Sequence, residues 1–166
     1  MSDITLKPLP LTSERFEPYG NVIEASPDHR HGMNDSRFDR FDGLADVDID
    51  ADGRVAVSIA RCRAATTLPY RFDVVERHPL GSQAFVPLTP ARFVVVVAPP
   101  AASVEAGDLC AFVTNGRQGV NYYRGTWHMP LIAFEAGQQF LVIDRSGDAP
   151  NCDVHSLDDF VLLLQA

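Results

Sequence analysis

The sequence has few cysteines, no run of basic residues and no long apolar stretch, and each absence removes a class of protein. Its three cysteines, Cys62, Cys110 and Cys152, are odd in number, far apart and in no C-x-x-C spacing, which excludes a zinc-ribbon pattern and a disulfide framework. They read as buried free thiols. No segment approaches the roughly 18 uninterrupted apolar residues of a membrane span, and "MSDITLKPLP" lacks the basic-then-apolar order of a secretory leader. A cytoplasmic protein with no membrane partner is expected. The 14 Lys and Arg are scattered among 22 Asp and Glu, giving a formal net charge of -8, so nucleic acid is not an expected partner either. An anionic small molecule is compatible with that charge only where a few arginines dominate the field inside a pocket.

What is present is a chain of 166 residues, 46% hydrophobic and 22% charged, the size and composition of one globular domain spanning 1–166. It contains no linker, repeat or low-complexity tract, and "ADVDIDADGR" (45–54) reads as an exposed turn. "LTSERFEPYGNVIE" offers Thr12 or Ser13 as an N-cap, a short helical turn, then Pro18 and Gly20 as stops. A second short helix is expected in "NDSRFDRFDGL". From residue 54 the pattern turns to strand: "RVAVSIARC" alternates with period two, followed by "QAFVPL", "RFVVVVAP", "HMPLIAFE", "QFLVIDR" and "FVLLLQ". Short apolar runs punctuated by proline and glycine predict an antiparallel sandwich or barrel. In "VEAGDLCAFVTNG", Val104, Leu109, Phe112 and Val113 fit one helical face with Asn115-Gly116 as its stop, so one helix is expected there.

Candidate chemistry gathers in two stretches. In "ERHPLGSQAF" (76–85), Glu76 and His78 are two apart, which on a strand puts both on one face, and Gln83 opens the next strand after the turn at Pro79 to Gly81. In "YRGTWHMPL" (123–131), Gly125 can make the tight turn that swings His128 inward. A carboxylate inside a barrel costs several kcal/mol, of order ~5, unless it is paired, so Glu76 needs a partner. Trp127 can wall a pocket beside His128, and of Tyr122 and Tyr123 alternation sends only one inward. Arg61, Arg63 and Arg124 are candidate carboxylate anchors, since a guanidinium fork matches a carboxylate in two places. His29 and His31 in "DHRHGM" read as part of a mobile loop that can close over a ligand, with Asn34 as its polar contact.

"E-x-H-x4-Q" followed by a strand resembles the first motif of the cupins, and "Y-R-G-T-W-H" resembles their second, P-x-G-x-x-H. Glu76 stands where the first histidine is usual, Gln83 where glutamate is usual, and Tyr123 in place of the proline. "ERHPLGSQAFVPL", "NGRQGVNYYRGTWHMPL" and "FLVIDRSGDAPNCD" look more specifically like the ureidoglycolate lyases of allantoin and ureide breakdown, and "LPLTSERFEPYGNVIE" resembles that family's opening segment. The resemblance implies a mainly β, cupin-type antiparallel barrel or double-sheet sandwich with a few short helices, working as a homodimer.

It also implies a reaction. Ureidoglycolate carries a carboxylate, a hydroxyl and a ureido nitrogen on one carbon, and loss of the hydroxyl proton with C–N cleavage gives glyoxylate and urea. Glu76, His78 and His128 are then the catalytic candidates, and Asn34, Arg63, Gln83, Tyr123, Arg124 and Trp127 the substrate contacts. A divalent metal on Glu76, His78, Gln83 and His128 suits the chemistry, with nickel the ion the resemblance implies. A metal-free site, with Glu76 or a histidine as base and an arginine as anchor, is the alternative. Competing functions are an amidohydrolase releasing ammonia, a cupin dioxygenase, and a noncatalytic cupin that binds a small acid.

Overall fold

The computed structural model describes residues 3–166, and strands dominate its regular structure, as the alternating pattern requires. In chain order these are β1 (Ile4–Leu6), β2 (Leu9–Pro10), β3 (Gly20–Ile23), β4 (Arg30–Met33), β5 (Phe38–Phe41), β6 (Arg54–Arg61), β7 (Tyr70–Arg77) and β8 (Gln83–Pro87). Then follow β9 (Phe93–Ala98), β10 (Cys110–Val113), β11 (Gly119–Tyr122), β12 (Trp127–His128), β13 (Ile132–Ala133), β14 (Gln139–Ser146) and β15 (Asp153–Leu163). One sheet runs β1-β15-β7-β12-β9-β10-β2, with β13 also on β9; the other runs β3-β11-β8-β14-β6, and β4 and β5 form a separate ribbon. Most pairings are antiparallel. The edge contacts β1 with β15 and β2 with β10 are parallel. This is the curled double sheet of a cupin-type barrel.

The apolar run in β9 has a direct cause. Phe93, Val95 and Val97 face the second sheet and pack with Phe16, Phe112, Val120, Tyr122 and Phe140, while Val94, Val96 and Ala98 pack on the other face with Leu109, Ile132, Leu157 and Val161. A strand covered on both sides has no face to leave polar, so the alternation disappears and the run becomes continuous. Helix α1 (Ser13–Phe16) starts where expected: the Thr12 side chain accepts from the Arg15 N–H, satisfying one of the free donors of the first turn.

Four expectations are corrected. The helix expected across 104–116 is a 3-10 turn, Ala106–Asp108, followed by strand β10. All four residues of the supposed helical face are buried, but Phe112 and Val113 enter opposite cores, and two-sided burial imitates a helical stripe. The second short helix is instead the β4–β5 hairpin, whose turn holds Asn34, Asp35 and Ser36 at φ of 53°, 56° and 61°. Three consecutive left-handed residues cannot belong to a right-handed helix. The cysteines are free, as expected, but none is fully buried, and Cys152 is exposed. "HMPLIAFE" is split in two, because five residues from His128 to Ile132 oppose only four from Val97 to Val94 on β9. The extra residue falls where Pro130 has no N–H to give a ladder.

Candidate active site

The ladder itself assembles the site. His128 on β12 stands directly opposite Glu76 on β7 and Val97 on β9, and Val97 belongs to the core between the sheets, so all three side chains point inward. Residue 127 must then point the other way. The turn that delivers β12 is closed by the Thr126 N–H donating to the Tyr123 carbonyl at 3.0 Å, with Gly125 at φ 81°. The same Gly125 N–H reaches back to the His78 carbonyl at 2.9 Å, tying the two motif stretches together. His78 lies just past β7, and its ring centroid is 5.0 Å from that of His128.

The tautomers follow from the hydrogen bonds. His78 Nδ1 is 2.7 Å from the Asn151 carbonyl and His128 Nδ1 is 2.9 Å from the Thr126 carbonyl; a carbonyl only accepts, so each Nδ1 carries the proton. Each Nε2 is left buried and without a hydrogen-bond partner among the described residues. One donor atom from each of Glu76, His78 and His128 lies within 4.8 Å of the others, and Glu76 Oε1 is 3.6 Å from His128 Nε2. When the His128 ring carries a second proton, on the Nε2 that faces Glu76, it holds that carboxyl below the ordinary range, against the opposing effect of burial. Three facing electron-rich atoms in a half-buried space call for a proton on a ring or for a cation. Two neutral imidazoles and a carboxylate, with each ring oriented by a backbone carbonyl, are a donor set that fits a divalent transition metal.

These groups line a cavity of about 370 Å³, a size suited to a small molecule. Arg63 stands at its rim, Gln83 and Phe85 on the opposite sheet, and Met129 and Leu131 along one side. Tyr122 stacks on His128 with ring centroids 4.6 Å apart, and burial, with the Glu76 charge, pushes its phenol far up, so it stays protonated. Arg61 also borders the cavity, but its guanidinium donates to the side-chain oxygen of Gln139.

Four residues of the expected set are not brought here. Trp127 lies in the outer core, its indole N–H on the Ala101 carbonyl and the Arg77 guanidinium over its ring. Tyr123 lines a separate cleft beside His29. Arg124 is paired with Asp48 at 2.6 and 2.9 Å. Asn34 sits at the tip of the exposed β4–β5 hairpin, where His31 pairs with Asp42. Sequence reasoning also passed over Asn151, which orients His78, Asp144, which accepts from the Gln83 amide at 3.2 Å, and Cys152, whose thiol reaches Glu76 at 3.6 Å. All three lie in or beside "DRSGDAPNCD", but no local spacing links them to residues about 60 to 75 positions earlier, and only the β7–β15 and β8–β14 pairings do.

A cupin-type barrel with two imidazoles and a carboxylate converging on a small cavity defines the class: a cupin-type protein with a small-molecule cavity at a cluster that could hold a metal ion. Within that class the chain belongs to the ureidoglycolate lyase family, whose family model matches residues 3–163. It is 46% identical over 156 residues to the ureidoglycolate lyase of Pseudomonas syringae pv. syringae (strain B728a), covering 93% of this chain and 91% of that protein. It is 44% identical to that of Pseudomonas fluorescens (strain SBW25) over 98% of this chain and 97% of the relative. The Pseudomonas aeruginosa (strain LESB58) protein of the same name is 45% identical over 96% and 95%.

Proposed function

We propose that this chain is a lyase that cleaves the C–N bond of ureidoglycolate, giving glyoxylate and urea in ureide catabolism. The observation that carries the reading is the pair of unpartnered imidazole Nε2 atoms facing the Glu76 carboxylate in a chain of this family. Arg63, at the cavity rim, anchors the substrate carboxylate. Glu76, the carboxylate facing both imidazoles, takes the hydroxyl proton as the oxygen becomes a carbonyl and the C–N bond breaks. It then returns that proton to the departing ureido nitrogen, so no water is consumed and atoms balance. A divalent ion held by Glu76, His78 and His128, with Gln83 as a further oxygen donor and nickel the ion the family resemblance favours, would supply charge that acidifies the substrate hydroxyl. Phe85, Leu131 and Phe140 on the cavity wall limit water at the reacting carbon.

The homodimer and the cytoplasmic setting belong to the same proposal. The first is supported by the bare outer face of the β6 sheet, the second by three unpaired thiols, which persist reduced in that compartment. Purified protein given ureidoglycolate should yield glyoxylate and urea in equal amounts without ammonia. Ammonia in place of urea would identify an amidohydrolase instead, and loss of turnover on chelation, restored by added nickel, tests the ion.

A further inference from the structure

The cavity does not end at His78. A second cleft, of about 460 Å³, shares His78 and Gln83 with the first and is bordered by Asp144, Ser146, Asn151 and Cys152. Three of its polar groups, Gln83, Asp144 and Asn151, are already committed at one corner each, which fixes what their other corners offer. Gln83 Nε2 donates to Asp144 Oδ2 at 3.2 Å, so the amide cannot turn over and its Oε1 is the free corner. Asp144 has no other side-chain partner among the described residues, and as a carboxylate it can only accept. Asn151 accepts the Leu80 N–H on Oδ1 at 2.7 Å, which leaves its Nδ2 as a free donor. Arg145, the cation of this cleft, is spent on Asp50.

These three groups thus present a carboxylate and an amide oxygen as acceptors and one amide N–H₂ as donor, beside the Ser146 hydroxyl, which can do either. On the far side of the histidines, Arg63 presents donors and, among the described residues, no ion pair. The substrate of the proposed reaction has the same polarity: a carboxylate at one end, and at the other a ureido group with N–H donors and one carbonyl acceptor. We infer that Asp144 and Asn151 form the ureido subsite, Asp144 accepting the ureido N–H groups and Asn151 Nδ2 donating to the ureido carbonyl. The substrate carbon then lies across His78, with its carboxylate toward Arg63. Asp144 is thereby a specificity residue: it distinguishes a ureido acid from a plain hydroxy or oxo acid. This inference rests on the ureidoglycolate reading and assigns the half of the cavity that reading leaves open.

The test uses two ligands that do not react. N-carbamoylglycine carries the carboxylate and the ureido group but no hydroxyl, so it cannot undergo the elimination; glyoxylate carries only the carboxylate end. Calorimetric titration of the metal-loaded protein should show Asp144→Asn weakening N-carbamoylglycine by roughly tenfold to a hundredfold, the scale of losing hydrogen bonds to a charged acceptor. Glyoxylate affinity and metal content should stay unchanged, and the KM for ureidoglycolate should rise in parallel. Equal losses for both ligands, or no loss for either, would overturn the assignment. If Asp144→Asn does not fold, Asn151→Asp, which replaces the cleft's donor by an acceptor, must give the same split, and its absence is equally decisive. Failure of the wild type to form glyoxylate and urea would remove the reaction, whereas the N-carbamoylglycine split decides the subsite by itself.

Discussion

His78 and His128 are each held at Nδ1 by a backbone carbonyl that no side-chain substitution elsewhere can remove. Such a ring is preoriented: its Nε2 needs no rearrangement to bind, which is why positioned groups of this kind are worth more in a dry site than in water. His78→Ala and His128→Ala should each lower turnover of ureidoglycolate by at least about a hundredfold, the scale of losing a positioned acid-base or electrostatic group. Bound metal per chain should fall with it, as metal analysis of the purified variants will read. The fold should survive, because neither Nε2 makes a hydrogen bond among the described residues. Variants that stay folded, keep their metal and turn over at the wild-type rate would make the cluster structural.

Elements reach the site through a clamp at the end of β14. Arg145, whose side chain is only 1% exposed, pairs with Asp50, while the Asp50 N–H donates to the Leu80 carbonyl and the Ser82 N–H to the Asp48 carbonyl. The loop carrying Asp48 and Asp50 therefore fixes the 79–82 turn that sets His78 against Gln83. The Arg145 guanidinium holds the Asp50 carboxyl below the usual range, and the sign of its pH effect follows. In the unfolded chain the carboxyl titrates at its ordinary value of about 3.9, so the stabilisation is complete above that pH and is lost as pH falls through the depressed folded value. Asp50→Asn should lower the melting midpoint at neutral pH, by an amount that is constant down to about pH 5 and shrinks in more acid solution. Thermal unfolding followed across pH 3 to 8 checks this, and a gap that widens toward acid would contradict it.

At the scale of the whole molecule the least covered surface is the outer face of the β6 sheet. Val55, Val57 and Ile59 are 57%, 67% and 61% exposed on the edge strand, and Leu141 and Ile143 of β14 lie directly opposite two of them in the ladder. A long, flat, apolar edge strand is a template for pairing, and a second copy of the chain would cover face and edge together about a twofold axis. The end of β6 also forms one side of the cavity, at Ala60, so association there would bear on the site. Val57→Lys should leave the monomer folded and shift sedimentation at micromolar concentration from dimer to monomer. A wild-type protein that sediments only as monomer would remove the homodimer.

The sequence by itself determined what is local. Thr12 caps its helix, Gly125 takes the positive φ its turn needs, and the two-residue spacing of Glu76 and His78 survives as one inward side of the chain, because caps, turns and strand alternation depend on neighbours in the chain. It also determined the family, since long odd strings such as "GVNYYRGTWH" are not needed for packing. What only the tertiary structure decided is which side faces in and what arrives from afar. Two-sided burial erased the period that would have marked β10 as a strand, and alternation from His128 sent Trp127 to the opposite core. Asn151, Asp144 and Cys152 joined the site through strand pairings some 60 to 75 residues away in sequence. A one-residue change of register on β14 or β15 would have pointed other side chains at the cavity, and register is set by the packing of whole sheets rather than by any stretch within them.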